Sequence, residues 1–306
     1  FFEILFKVLK TKKIKSPLVL IASYKILSLQ MKKLNFKKKI NYLDFKNMNY
    51  RKLNNNSINL INVHYNQKNA FEKISDRSNV YIRKCFEIAI LLIKSNFSDK
   101  LINGPISKKN FLKNKFLGIT EFLAKKFEKK KIAMLIYNEG LSVCPITTHL
   151  PLKIVPKKIN KKLITEKVLL IDNFYKTFIG FKPKIAVTGL NPHCESISNF
   201  NEDEKIIKPT IKGLLKRNFK VSGPYAADTI FLKKNRKKFD VILGMYHDQV
   251  LTPIKTLFEY DAINITLGLP FLRISPDHGP NEKMIGKNVS SPLSLYKAIS
   301  FFEKLK

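Results

Sequence analysis

Apolar and polar positions along this chain fall into alternating blocks, some with the spacing of a buried strand and some with that of a helix. SPLVLIAS (16–23) reads as a buried strand, and YKILSLQMKKL after it carries helical spacing. KNMNYRKLNNNSINLINV (46–63) is an Asn-rich connection running into a strand. SDRSNVYIRKCFEIAILLIKSN (75–96) places apolar residues at three- and four-residue intervals after an Asp/Ser-rich start, which predicts a long helix. LINGPISKKN (101–110) breaks at Gly104-Pro105. KIAMLIY (131–137) and LSVCPIT (141–147) read as strands paired across a short NEG turn, and 154–179 as helical after its proline. KIAVTGL, the helical NEDEKIIKPTIKGLLKRN, DTIFLKKN, DVILGMY and the apolar run AINITLGLPFLRIS follow. SSPLSLYKAISFFEKL (290–305) closes the series as an amphipathic helix opened by Ser291-Pro292. Strands alternating with helices predict an α/β protein with a parallel or mixed sheet. No internal repeat and no Pro-, Gly- or Ser-rich linker marks a domain boundary.

A chain of 306 residues predicts one large domain or two medium ones. Its longest strong apolar stretch, EIAILLI (87–93), falls far short of the roughly 18 residues that span a bilayer. The opening FFEILFKVLKTKK lacks the order of a signal peptide. Cys85, Cys144 and Cys194 are odd in number and widely spaced, as expected in a reducing compartment, so the cytoplasm is the expected location. The formal net charge of +34 taken alone points to nucleic acid. Almost all of it is lysine, however, scattered from end to end, and only Arg51, Arg77, Arg83, Arg217, Arg236 and Arg273 offer the planar fork of specific phosphate and base readers. A solvated, compositionally biased surface is therefore expected, with no nucleic-acid partner, though its field would still attract anionic substrates.

Three of the five histidines end an apolar, strand-like run at its break into polar residues: LSVCPITTH at His149, KIAVTGLNPH at His193 and DVILGMYH at His247. Open α/β sheets carry their chemistry beyond the carboxyl ends of strands, and imidazole is a common metal ligand. The ordinary reading of one such histidine is a hydrogen-bonded surface residue. Three in the same placement point to a shared site for zinc or a similar borderline metal, with a position open to substrate. Asp248, Gln249 and Asn191 are then candidates to orient the rings. His278, in PDHGP, is either a fourth member or a turn residue, and His64 has no assigned role. Lys255, Asn264 and Arg273 form a second set around INITLGLPFLR. An arginine at the end of an apolar strand, in a chain that otherwise avoids arginine, is expected either to grip a phosphate or carboxylate or to be a surface charge. Cys194 is expected to be a bystander. No GxGxxG, GxxxxGK[ST] or GxSxG occurs, so neither a Rossmann fingerprint nor a P-loop is supported.

Several blocks together resemble the family of 4-hydroxythreonine-4-phosphate dehydrogenases, which serve pyridoxal phosphate synthesis: NGPISK (103–108), GITEFLA (118–124), TTHLPL (147–152), GLNPH (189–193), GPYAADT (223–229), GMYHDQVLTPIK (244–255) and NITLGLPFLRISPDHG (264–279). The resemblance implies a two-lobed α/β fold like that of isocitrate and isopropylmalate dehydrogenases, with a cleft between the lobes, in a homodimer. The lobes are expected at 1–118 plus 281–306 and at 119–280. It also implies NAD or NADP bound without the glycine fingerprint, and a divalent metal such as zinc, cobalt or magnesium on His149, His193 and His247, one of them supplied across the dimer. Thr120, Lys255, Asn264 and Arg273 match substrate-binding positions. Two departures stand out. Ile119 replaces a histidine that contacts substrate in the family. The family's opening Gly-Asp-Pro-x-Gly-x-Gly-Pro-Glu segment is matched only at its tail, with Glu3 on its glutamate.

The expected reaction is oxidation of 4-phosphohydroxy-L-threonine, a small phosphorylated amino acid, followed by decarboxylation, with Lys255 as candidate for proton transfer and Asp228 as the weaker alternative. The alternative substrate is a four-carbon sugar acid phosphate, threonate or erythronate 4-phosphate, which Ile119 keeps open. The rival from another class is a catalytically inactive basic protein that binds nucleic acid.

Overall fold

The alternation of blocks becomes two compact α/β units. The structure, a computed structural model, describes every residue except 113–115, 117, 197–199, 281 and 306, with only the backbone at 108 and 109. One unit comprises Phe1–Ile119 with Phe271–Lys304, and the other Thr120–Pro270. In chain order the described strands are β1 (Val19–Ala22), β2 (Ile40–Tyr42), β3 (Ile58–Asn62), β4 (Lys100–Ile102), β5 (Ala133–Tyr137), β6 (Ser142–Thr147), β7 (Ile185–Thr188), β8 (Val221–Tyr225), β9 (Val241–Tyr246), β10 (Ile263–Leu267) and β11 (Leu272–Pro276).

In the first unit β1 and β2 both pair parallel to β3, and β4 pairs parallel to β11. The helix Phe2–Thr11 buries Phe2, Ile4, Leu5, Phe6 and Val8, and Phe6 stacks on Phe36 with ring centres 4.4 Å apart. These side chains share a core with Leu27, Leu60, Leu295 and Ile299, so the first and last helices pack in one unit. Glu3 helps to join them. Its buried carboxylate accepts from the Ser290 N–H at 2.7 Å and from the Lys7 ammonium at 3.2 Å, and Lys7 also donates to the Asn288 and Ser290 carbonyls.

In the second unit the strand order is β10-β5-β6-β9-β7-β8. β5 runs antiparallel to both of its neighbours, whereas β6, β9, β7 and β8 run parallel to one another. The carboxyl ends of β6, β9, β7 and β8 therefore share one edge of the sheet. Every residue of β6 and β7 is buried, as are the first five of β9. Burial on both faces explains why these strands read as continuous apolar runs rather than alternating ones.

The sequence reading missed the strands β2, β4 and β8 and the interruptions of two longer runs. β2 is a three-residue strand at a sheet edge, too short to show a period. β8, VSGPY, contains Gly223-Pro224 and lies at the end of the sheet order, where a proline's missing N–H is tolerated. The run AINITLGLPFLRIS is two strands. They part at Gly268, whose φ of +89° and 2.2 Å approach between a notional Cβ and the Lys131 carbonyl oxygen leave no room for a side chain. The stretch 154–179 is also interrupted. Helix Val155–Lys158 stops, and Asn160 caps a new helix, Lys161–Phe174, by accepting from the Leu163 N–H at 2.9 Å. Among the described residues no helix is long and apolar enough to cross a membrane.

Candidate functional site

Two of the three strand-end histidines meet. β6 ends at Thr147, whose hydroxyl donates to the Met245 carbonyl of neighbouring β9 at 2.8 Å, tying the two tips together. His149 follows β6 by two residues, and His247 is the first residue of the helix His247–Phe258 that leaves β9. Their ring centres lie 5.7 Å apart. The Nδ1 of His247 sits 2.7 Å from Asp248 Oδ1. A carboxylate at Nδ1 selects the tautomer that keeps a lone pair on Nε2, the arrangement that metal-binding histidines use.

The third histidine lies on a different loop. After β7 the loop GLNPH turns through two left-handed residues, His193 (φ +54°) and Cys194 (φ +64°). Asp203, with no exposed surface, organises this loop by accepting from the Leu190 N–H at 2.8 Å, the Asn191 N–H at 3.1 Å and the Asn191 side-chain amide at 3.0 Å. Gly189 makes room for it, since a Cβ there would fall 2.7 Å from both Asp203 Oδ1 and Cys194 Sγ. Asn191, expected to orient an imidazole, instead gives its amide to the carboxylates of Asp203 and Glu202. Gln249, expected in the same role, folds back onto the strand tips and bonds to Met245, Thr188 and Gly189.

Two imidazoles bound to one tetrahedral ion at about 2.0–2.1 Å have ring centres roughly 5 Å apart, close to the 5.7 Å between those of His149 and His247. Among the described residues no group of three or more His, Cys, Asp or Glu is gathered to hold one. The resemblance implies that one of the three histidines comes from a second copy of the chain, and within one chain the ring contact joins His149 and His247.

The substrate-binding candidates divide between the units. In the second unit the Thr120 and Thr266 hydroxyls are 3.3 Å apart, and Asn264 lies two residues from Thr266, on the same face of β10. The Oδ1 of Asn264 is buried with no hydrogen-bond partner, as expected of an acceptor awaiting a donor. Lys255 is half-buried, about two turns beyond His247 on the same helix. Asp228 is exposed in the short helix Ala227–Ile230. Arg273 belongs to the first unit and corrects the sequence reading. It lies inside β11 rather than at a strand end, is only 3% exposed, and donates from Nε to Asn103 Oδ1 at 2.7 Å. His278 is also in the first unit, with Nδ1 3.2 Å from the Gly279 carbonyl, and His64 there is exposed.

Comparison with known proteins decides what these residues belong to. The family model described as "Pyridoxal phosphate biosynthetic protein PdxA" matches residues 13–302. The chain belongs to the PdxA family. The chain is 40% identical to the 4-hydroxythreonine-4-phosphate dehydrogenase of Sulfurihydrogenibium sp. over 81% of its own length and 77% of that protein's. It is 36% identical to the enzyme of the same name from Xanthobacter autotrophicus, over 72% of its own length and 65% of that enzyme's. The crystal structure of the Klebsiella pneumoniae 4-hydroxythreonine-4-phosphate dehydrogenase superposes with a TM-score of 0.81 at 25% identity, covering 99% of this chain and 95% of that one. The α/β architecture in two units agrees with the isocitrate dehydrogenase-like class expected from the resemblance.

Burial also acts on two cysteines of this PdxA-family chain. Burial pushes the Cys194 thiol above its ordinary pKa, and the Asp203 carboxylate adds to the effect, while burial alone raises Cys144 to about 12. Both shifts favour the thiol over the reactive thiolate. Asp203 and Asn103 were missed by sequence reasoning. Asp203 left one signal, the acidic cluster NEDEK in a chain with only 23 acidic residues against 57 basic ones. Asp203→Asn would turn an amide NH₂ toward N–H donors, and it is expected to cost about 2–4 kcal/mol of stability in urea unfolding.

Proposed function

We propose that this chain oxidises 4-phosphohydroxy-L-threonine with NAD or NADP to 2-amino-3-oxo-4-phosphooxybutanoate. That product then loses CO₂ to give 3-amino-2-oxopropyl phosphate, a step toward pyridoxine 5′-phosphate. The family match over residues 13–302 carries the reading. The paired imidazoles of His149 and His247 support it.

His149 and His247 would hold a divalent cation such as zinc, cobalt or magnesium, with His193 supplied by a second copy of the chain in a homodimer. When bound, the cation supplies Lewis-acid polarisation of the substrate's C3 hydroxyl, and the nicotinamide supplies a hydride acceptor. The protein's own residues bind, orient and move the proton. Arg273 is assigned a grip on phosphate or carboxylate, where the planar guanidinium matches the anion and Asn103 fixes its Nε. Thr120 and the unpartnered Oδ1 of Asn264 are assigned hydrogen bonds to substrate hydroxyl or amine. Lys255 is assigned an anionic group of the substrate and the transfer of the hydroxyl proton, with Asp228 as the second candidate. The substrate's C3 loses a hydride and its oxygen a proton, which leaves a β-keto acid. Its carboxylate departs as CO₂ because the ketone accepts the electron pair.

Ile119 favours keeping the hydroxy-acid analogue as a second reading. It is 7% exposed and offers no hydrogen bond where the family has a histidine. Reduction of NAD should follow addition of 4-phosphohydroxy-L-threonine, stop with chelator, and run more slowly with threonate or erythronate 4-phosphate. Faster turnover of a hydroxy acid would reassign the substrate, and chelator-insensitive turnover would remove the metal.

The shared site makes a separate prediction. Mixing inactive His193→Ala and His247→Ala subunits should restore roughly a quarter of wild-type activity, because one of the two sites in each mixed dimer is intact. No recovery would place all three imidazoles in one chain. For Lys255, substitution by Ala should lower kcat as well as raise KM, whereas an unchanged kcat would restrict it to binding.

A further inference from the structure

We propose that Gln249 is a positioning residue for the histidine site, acting through a chain of hydrogen bonds across the tips of three neighbouring strands. Its Oε1 accepts from the Met245 N–H at 2.7 Å and from the Thr188 hydroxyl at 2.8 Å, and its Nε2 donates to the Gly189 carbonyl at 2.8 Å. The Met245 carbonyl in turn accepts from the Thr147 hydroxyl at 2.8 Å. The chain therefore runs from Thr147 on β6 through Met245 on β9 to Thr188 and Gly189 at the end of β7. Thr147 stands two residues before His149, Met245 two before His247, and Gly189 four before His193. Every strand that delivers one of these imidazoles is held at its tip by this chain.

The chemistry explains why a primary amide stands here. A parallel ladder ends at the strand tips and leaves backbone groups to be satisfied by side chains. Gln249 must accept from β9 and β7 with one atom and donate to β7 with another. Glutamate could not donate, and asparagine is one methylene shorter. Gly244 leaves space for the folded-back amide, since a Cβ there would lie 3.1 Å from Oε1. Thr188 and Thr147 are both buried, so little water can replace these bonds. In such surroundings losing one partner displaces the others.

This inference rests on the reading that His149 and His247 hold a cation. The probe is cobalt(II) alone, titrated into metal-free protein against a chromophoric chelator and followed by its visible absorption, with the unfolding temperature measured in parallel. Gln249→Ala is expected to weaken cobalt(II) binding by about 10–100-fold and to alter the absorption. The isosteric Thr188→Val removes one bond and keeps the shape, and a several-fold weakening is expected. Exposed His64 in the first unit serves as the control, with His64→Ala leaving affinity unchanged. A folded Gln249→Ala protein that binds cobalt(II) as tightly as wild type overturns the proposal, even if it melts earlier, because Gln249 then supports only the fold. Should Gln249→Ala fail to fold, unchanged affinity in Thr188→Val overturns it instead. Wild-type protein that binds no cobalt(II), or whose binding survives His149→Ala and His247→Ala, overturns the metal reading itself before any Gln249 variant is measured.

Discussion

The parallel pairing of β6, β9 and β7 is the constraint on which the candidate site depends. Neighbouring strands in a sheet lie about 4.8 Å apart, so residues just beyond adjacent tips can be brought within reach of one another where the connecting loops allow it. His149 and His247 follow adjacent strands and meet at 5.7 Å. His193 follows the strand on the other side of β9, and its loop turns through two left-handed residues under the control of a buried carboxylate. The same pairing that joins two imidazoles leaves the place of the third to its loop.

Buried polar side chains, rather than the abundant surface charge, shape this region. The net charge of +34 comes almost wholly from lysine, and six of the 57 basic residues are arginine. Arg273, one of those six, is nearly inaccessible, and Asn103 fixes its Nε. Asp203 is fully buried and spends its oxygens on backbone and amide N–H groups of the GLNPH loop. A carboxylate or guanidinium is costly to bury unless its hydrogen bonds are met. Such groups persist where they hold a geometry that an apolar side chain could not. The lysine field outside is screened within about 8–10 Å at ordinary ionic strength, and it acts on anionic substrates as they approach rather than on the geometry.

Much of the architecture was legible because burial leaves a pattern. The helices Tyr24–Lys33, Asn79–Lys94 and Leu293–Lys304 and the strands β5, β6, β7 and β9 stand where their apolar periods placed them. The histidines were legible because each interrupts an apolar run at its carboxyl end. Illegible were β2, β4 and β8, edge strands with too few buried positions or with a proline, and the split of one apolar run by Gly268. The partners of Asn191 and Gln249 were also misread. Sequence adjacency suggested that they serve the nearest imidazole, whereas their amides satisfy carboxylates and backbone groups brought near by other segments.

The order of apolar and polar residues thus determined the α/β class, the main elements and the delivery of His149, His193 and His247 to strand ends, because these follow from local periodicity and from the physics of burial. Tertiary structure decided which strands are neighbours, and with that which imidazoles meet, why Arg273 is buried beside Asn103, and how Gln249 links three strand tips. Those outcomes depend on contacts between residues far apart in the chain, and no local pattern encodes the order in which strands line up.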